Sequence, residues 1–287
     1  MNEQTTTDYL QSFYWERLPL RGARCRVDGI FRRVLRDLTL PPELAKLLGE
    51  ILVGLALLST TQKHYVRLIL QAQSEGFLRL LTAELQQGGG MRAYLRWQEE
   101  ETEILALDRL RQGILALTVD LGLDRDRYQG LIELRETLTA SLTAYFTESV
   151  QSPAYFRFVI DLHRGIAGGY FLQRLPGILA TEDWQTAIQF FAVGSDQSLL
   201  MANPEQFLPE IFPEEGVRLR SPEPLHFQCS CSLERVERML LALGETEVRQ
   251  TLDQEGEIKV TCEFCQAVYR LDEAAVASLF APAGPFH

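Results

Sequence analysis

Cys229-Ser230-Cys231 and Cys262-Glu263-Phe264-Cys265 are the residues of this chain whose type and spacing promise chemistry. Thirty residues separate the two pairs, which hold four of the chain's five cysteines. In a tetrahedral zinc–thiolate site, Zn–S bonds near 2.3 Å set the sulfurs roughly 3.8 Å apart. A C-x-x-C turn brings two sulfurs that close. A C-x-C does so too, because residues i and i+2 of an extended segment project to one side. The spacing predicts a closed site with Cys229, Cys231, Cys262 and Cys265 as ligands and one Zn²⁺ as the metal. His226 is a conceivable substitute, but four thiolates already complete a structural site. The same sulfurs are oxidant targets, since oxidants attack thiolates and oxidation removes ligands. Zinc in a small module carries about 10–16 kcal/mol of its folding energy. Spacing alone leaves a scaffold and an oxidation-triggered switch both open.

Two other candidates are weaker. Cys25 lies between Arg24 and Arg26, charges that could lower its pKa; the plainer expectation is an isolated strand cysteine. Asp161-Leu162-His163 is either half of a catalytic pair or the hydrogen-bonded end of a strand. Enzyme signatures are missing. None of the three lysines (Lys46, Lys63, Lys259) follows a glycine, so there is no P-loop, and neither H-E-x-x-H nor G-x-S-x-G occurs. A thioredoxin-like role for Cys262 and Cys265 fits poorly, because that motif opens a strand–helix unit in a first domain. A non-enzymatic protein is expected.

The chain has 287 residues, 46% hydrophobic and 23% charged, which suits a globular protein of about two domains. Its net charge of −11 argues against a nucleic-acid or anionic-membrane surface. A zinc-ribbon nucleic-acid-binding protein is the competing reading. From His226 onward ten acids face five bases, a net −5 that speaks against it. The polar first residues suggest no signal peptide, and a cytoplasmic location is expected. There, clustered cysteines read as metal-binding or redox-active rather than as a disulfide framework.

The elements that must position the cysteines divide into three stretches. Residues 1–176 read as an α+β domain. Tyr9 to Pro19 is a short helix or strand entry, 27–38 a helix, and Pro41-Pro42-Glu43 opens a buried helix to about Ser59. Strands are expected at 65–71, 77–85, 91–97, 114–120, 156–162 and 169–175, with a helix over 134–146. Glu99 to Glu103 is a solvated loop or helix start. Antiparallel hairpins between helices point to α+β rather than a doubly wound sheet. Residues 177–225 form an amphipathic helical connector with eight acids and two arginines, rich in Trp, Phe and Leu. It must rest on something, in the simplest case the first domain. Residues 226–287 form the cysteine module. Ser232 caps a helix that Gly244 stops, a second helix follows to 253, a hairpin of 258–260 with 268–271 flanks the C-x-x-C, and a last helix covers 272–280. Its apolar content is thin, so it needs a metal staple.

C-x-C-x30-C-x-x-C after an α+β domain and a helical connector resembles the redox-regulated 33 kDa heat-shock chaperones. Arg127-Tyr128-Gln129-Gly130, Ala167-Gly168-Gly169 with Leu172-Gln173 and Pro176, and Tyr269 after the second cysteine pair also resemble that family. The likeness spans essentially the whole chain. It departs at Gln71 to Gly76, where the family has a Gly-rich stretch. The resemblance implies an ATP-independent cytoplasmic holdase that binds unfolding client proteins and prevents their aggregation. It implies an inactive reduced form holding one zinc through the four cysteines. Peroxide with unfolding stress, or hypochlorous acid, would form disulfides Cys229–Cys231 and Cys262–Cys265, release zinc, unfold the module and loosen the connector. Homodimerisation would accompany activation, and the apolar connector would be a masked client-binding surface.

Overall fold

The computed structural model describes residues 8–74, 78–98, 113–122, 127–194, 196, 200 and 203–281; the acidic run Glu99 to Glu103 lies outside them. The chain divides into two compact units, Met1–Gln228 and Cys229–His287. The fold is α+β.

In the first unit one antiparallel sheet holds β1 (Tyr9–Trp15), β2 (Leu20–Arg26), β8 (Ala154–Asp161), β9 (Ile166–Arg174) and β10 (Val217–Leu219), in the order β10-β1-β2-β9-β8. The short β11 (Glu223–Pro224) also pairs with β1. The second sheet runs β12-β5-β4-β3-β6-β7, built from β3 (Arg67–Ser74), β4 (Leu78–Gln86), β5 (Gly90–Trp97), β6 (Gly113–Asp120), β7 (Tyr128–Glu133) and β12 (His226–Phe227). Between the sheets lies α2 (Pro42–Ser59), with α1 (Asp28–Leu35) and α3 (Leu138–Glu148) beside it. Proline at the first turn starts α2, and its residues from Ile51 to Ser59 are buried on every side, as a helix packed by two sheets must be. Gly49 lets it approach β8, where an added Cβ would sit 2.8 Å from Ile160. No helix among the described residues is long and apolar enough to cross a membrane.

The first sheet is buried on both faces. Along β9, Phe171 enters the main core against α2, while Tyr170 and Leu172 enter a second core on the opposite face. Phe13 and Trp15 of β1 and Leu20 of β2 join that second core. Its cover is α4 (Thr181–Val193) and α5 (Pro204–Ile211), which contribute Trp184, Ala187, Phe191, Leu208 and Ile211. The amphipathic stretch after residue 176 thus lies on the outer face of the first sheet. Phe191 stacks on Phe13 with ring centroids 6.5 Å apart and meets Tyr170 at 5.0 Å.

The stretch from Tyr9, open between helix and strand, is a strand over Tyr9–Trp15, paired with a strand that was not expected, β2. The bounds of two helices differ from expectation. Helix α3 starts at Leu138 rather than 134, because the Thr137 side chain accepts from Ala140 N–H and caps it there. Leu134 instead continues β7, donating its N–H to Gly113. Helix α1 ends at Leu35, three residues early. It is capped at the other end from a distance: the Asp8 carboxylate accepts from Gly29 and Ile30 N–H at 2.8 and 2.7 Å.

Candidate metal centre

The second unit is small, and each of its elements has a local cause. Ser232 caps α6 (Leu233–Leu243) by accepting from Arg235 N–H. Gly244 and Gly256, both at positive φ, bound α7 (Glu245–Glu255). Strands β13 (Ile258–Thr261) and β14 (Val268–Leu271) pair as a hairpin, and Asp272 caps α8 (Glu273–Leu279). The core gathers Val236, Leu240, Val248, Leu252, Ile258, Leu271 and Val276. Among the described residues no aromatic ring is fully buried in it. A core of this size holds a fold of some 60 residues only marginally.

Cys262 and Cys265 sit on the loop of the hairpin. Cys262 N–H donates to the Ala267 carbonyl and Gln266 N–H to the Cys262 carbonyl, at 2.9 and 2.8 Å, which fixes the turn. Gln266 takes a left-handed φ of 59° to complete it. Backbone N–H groups then point at the sulfurs: Phe264 and Cys265 toward Cys262, and Ala267 toward Cys265. Cys229 and Cys231 come from the segment entering α6, where the Ser230 hydroxyl accepts from Arg235. Across the two limbs the sulfurs stand 3.7 Å apart for Cys229–Cys262 and 3.3 Å for Cys231–Cys265, and all four lie within 4.8 Å of one another. None is in a disulfide.

Distances near 3.8 Å are what a tetrahedral zinc–thiolate set requires. The electrostatics agree. Burial pushes Cys262 up, and burial followed by the neighbouring sulfurs pushes Cys265 up to about 12. Four sulfurs this close cannot all ionise unaided, whereas a dication deprotonates its coordinating thiols outright. Sequence spacing alone predicted this cluster. Among the described residues it is the group assembled to hold a metal, and His226 is not part of it; His226 instead pairs in β12 beside Gly90 of β5.

The remaining candidates are not assembled for chemistry. Cys25 is 1% exposed, and its sulfur contacts the Val53 carbonyl at 3.8 Å. Burial, and then Asp28 and Asp8, push its pKa up, not down. Its arginine neighbours sit one residue away on a strand and so face away from it; Arg24 bonds Gln11 and Arg26 pairs with Asp28. Asp161 turns its carboxylate to Arg164, accepting from its N–H and pairing with its guanidinium. His163 is exposed on the rim of an open cavity of about 900 Å³.

Comparison with known proteins decides the family. The profile of the Hsp33 protein family matches residues 8–272. The chain belongs to the Hsp33 family. Among its Hsp33 relatives, the 33 kDa chaperonin of Azotobacter vinelandii is 35% identical, covering 96% of each chain. That of Caulobacter vibrioides is 33% identical over 92% of this chain and 95% of its own. The crystal structure of the 33 kDa chaperonin from Thermotoga maritima superposes with a TM-score of 0.76 at 22% identity, covering 94% and 97% of the two chains. That match confirms the fold.

Proposed function

We propose that this protein is an ATP-independent holdase switched on by oxidation, with Cys229, Cys231, Cys262 and Cys265 as both zinc ligands and oxidant sensor. The observation that carries the reading is the four-sulfur cluster at metal-binding distance inside a module whose apolar core is too small to stand alone. Zinc, when bound, would supply charge compensation for four thiolates and the missing folding energy. The chaperonin names of the Hsp33 relatives support client binding.

In the reduced state the four sulfurs hold both limbs together. Peroxide takes two electrons from a thiolate pair: one S–S bond forms, the O–O bond breaks, and two protons go to the two water molecules released. The disulfides are Cys229–Cys231 and Cys262–Cys265. Each disulfide takes two ligands from the metal, and without the metal's binding energy the small core no longer holds the module folded. Cys229 follows directly on Gln228, whose N–H bonds the Met91 carbonyl of β5. Loosening therefore runs back along the chain to residues 177–225, the switch region, whose α4 and α5 cover Phe13, Trp15, Tyr170 and Leu172. Uncovered, those side chains form an apolar surface for unfolding clients in the cytoplasm, and activated protomers associate as homodimers.

The test is peroxide at ambient and raised temperature, following zinc release, thiol count and suppression of client aggregation together. Zinc release with two disulfides and gain of suppression is expected. If zinc leaves and aggregation of a heat-unfolded client is unaffected, the reading is wrong.

A further inference from the structure

Arg157 lies on β8, the edge strand of the first sheet, opposite Tyr170 of β9, and Tyr155 stands opposite Leu172. Residues paired across two strands share a face, so Arg157 projects on the side that α4 covers. Its side chain is 17% exposed, and its guanidinium reaches the end of that helix. Nη1 donates to the Phe191 carbonyl. Nη2 donates to the Gly194 carbonyl and to Asp196 Oδ1, each at 2.7 Å.

The helix lacks a partner of its own at that end. The last four carbonyls of a helix have no donor within it. The last turn of α4 holds no basic residue. Gly194 at its C-cap has φ −58° and ψ 143°, not the left-handed turn that folds backbone N–H groups back onto those carbonyls. Arg157 supplies both missing parts, donors for the carbonyls and a positive charge at the negative end of the macrodipole. Its planar fork spans acceptors on two residues at once, which a compact ammonium does not. The ion pair with Asp196 adds little, because Asp196 is 65% exposed. The bonds to the carbonyls therefore carry the contact. At the other end, Arg174 of β9 donates to the Leu179 carbonyl at 3.0 Å. It holds only the approach to α4, where a positive charge gains nothing from the dipole.

We propose that Arg157 is the clamp that keeps α4 docked on the first sheet and sets how readily the cover opens. Its bonds involve no cysteine, so oxidation does not break them directly. The proposal rests on the reading of α4 and α5 as the cover of a client surface.

Arg157→Met keeps an apolar stem on the sheet and removes the donors and the charge. In the reduced, zinc-loaded chain, hydrogen-exchange protection of α4 is expected to fall about 10–100-fold, the worth of one charge-assisted hydrogen bond, while α2 stays protected and zinc stays bound. Arg157→Lys is the second variant: it restores the charge but not the fork, and a smaller loss confined to α4 is expected. It decides the matter should the methionine variant not fold. Protection of α4 unchanged from the parent, or lost equally in α2, overturns the proposal. Suppression of client aggregation is read separately in the same samples. If α4 opens while suppression under reducing conditions does not rise, the clamp stands and the reading of the covered face as a client surface fails.

Discussion

Replacing Phe191 by alanine separates the cover from the latch. Phe191 is fully buried, stacks on Phe13 and meets Tyr170 at a tilt, in the contact between α4 and the first sheet. Truncating a buried Phe costs about 3–5 kcal/mol. That loss falls mainly on docking of the cover, because the main core against α2 does not contain Phe191. At 1.36 kcal/mol per factor of ten, the closed-to-open ratio drops by about two to three and a half powers of ten. The docked state also carries a defect: the buried Trp15 indole N–H finds no hydrogen-bond partner among the described residues, a cost of about 1–3 kcal/mol. Little surplus then remains to keep α4 and α5 down. The variant is expected to suppress client aggregation under fully reducing conditions while its zinc stays bound. Hydrogen exchange should show α4 opened and α2 still protected. Should α4 stay protected, or should activity appear only as zinc is lost, docking of the cover is not an equilibrium of its own and the reasoning fails.

Three further outcomes are expected. Cys262→Ser removes one ligand and a binding energy of about 10–16 kcal/mol; zinc stoichiometry should fall below one and residues 229–287 should lose protection from proteolysis, whereas unchanged stoichiometry refutes the ligand assignment. Burial raises Glu50 to about 7 against the favourable pull of Lys46, so the folded state keeps a proton that the unfolded state releases near 4.5. The resulting penalty is absent below the lower value, grows as pH rises between the two, and is full above the higher one. Glu50→Gln should therefore leave stability unchanged near pH 4 and raise it by up to about 3 kcal/mol near pH 8, read from denaturant unfolding at both pH values. Gly22→Ala places a Cβ 2.3 Å from the Phe13 ring and 2.8 Å from the Phe171 carbonyl; it should lower Tm by several degrees and raise dye binding to apolar surface, and an unchanged Tm would show that β1 shifts freely.

What could be read from the sequence follows from how local each signal is. The cysteine pairs were legible because spacings of two and three fix sulfur separation within a limb whatever surrounds it. Helix α2 was legible because an apolar pattern as dense as that behind Pro42 has one sensible environment. Strand β2 was not, since Arg21, Gly22, Arg24 and Arg26 hide the alternation of a strand at the middle of a sheet. Strand β7 is a short edge, half exposed and interrupted by Gly130. The meeting of the two cysteine limbs depends on how the module folds, which is not a local property. The amphipathy of α4 and α5 was plain, but not their seat. That seat is formed by Phe13 and Trp15, in a stretch whose apolar pattern was short enough to read as helix or strand.

The three cores differ in what holds them, and that difference orders their loss. The main core is enclosed by two sheets and a helix buried almost all round, and it contains none of the cover and none of the cysteines except Cys25. The second core shares β1, β2 and β9 with it but depends on α4 and α5 for its outer wall. In the proposed switch the third depends on the sulfur cluster, and oxidation acts there because those sulfurs are only partly buried. Cys25, buried and with its thiol held protonated, is spared the same oxidant. A chain built this way can give up its third core, then the wall of its second, and keep a folded first sheet. On that proposal the side chains presented, Phe13, Trp15, Tyr170 and Leu172, would stay fixed on that sheet, so the surface offered to a client would be rigid even though the route to exposing it is an unfolding.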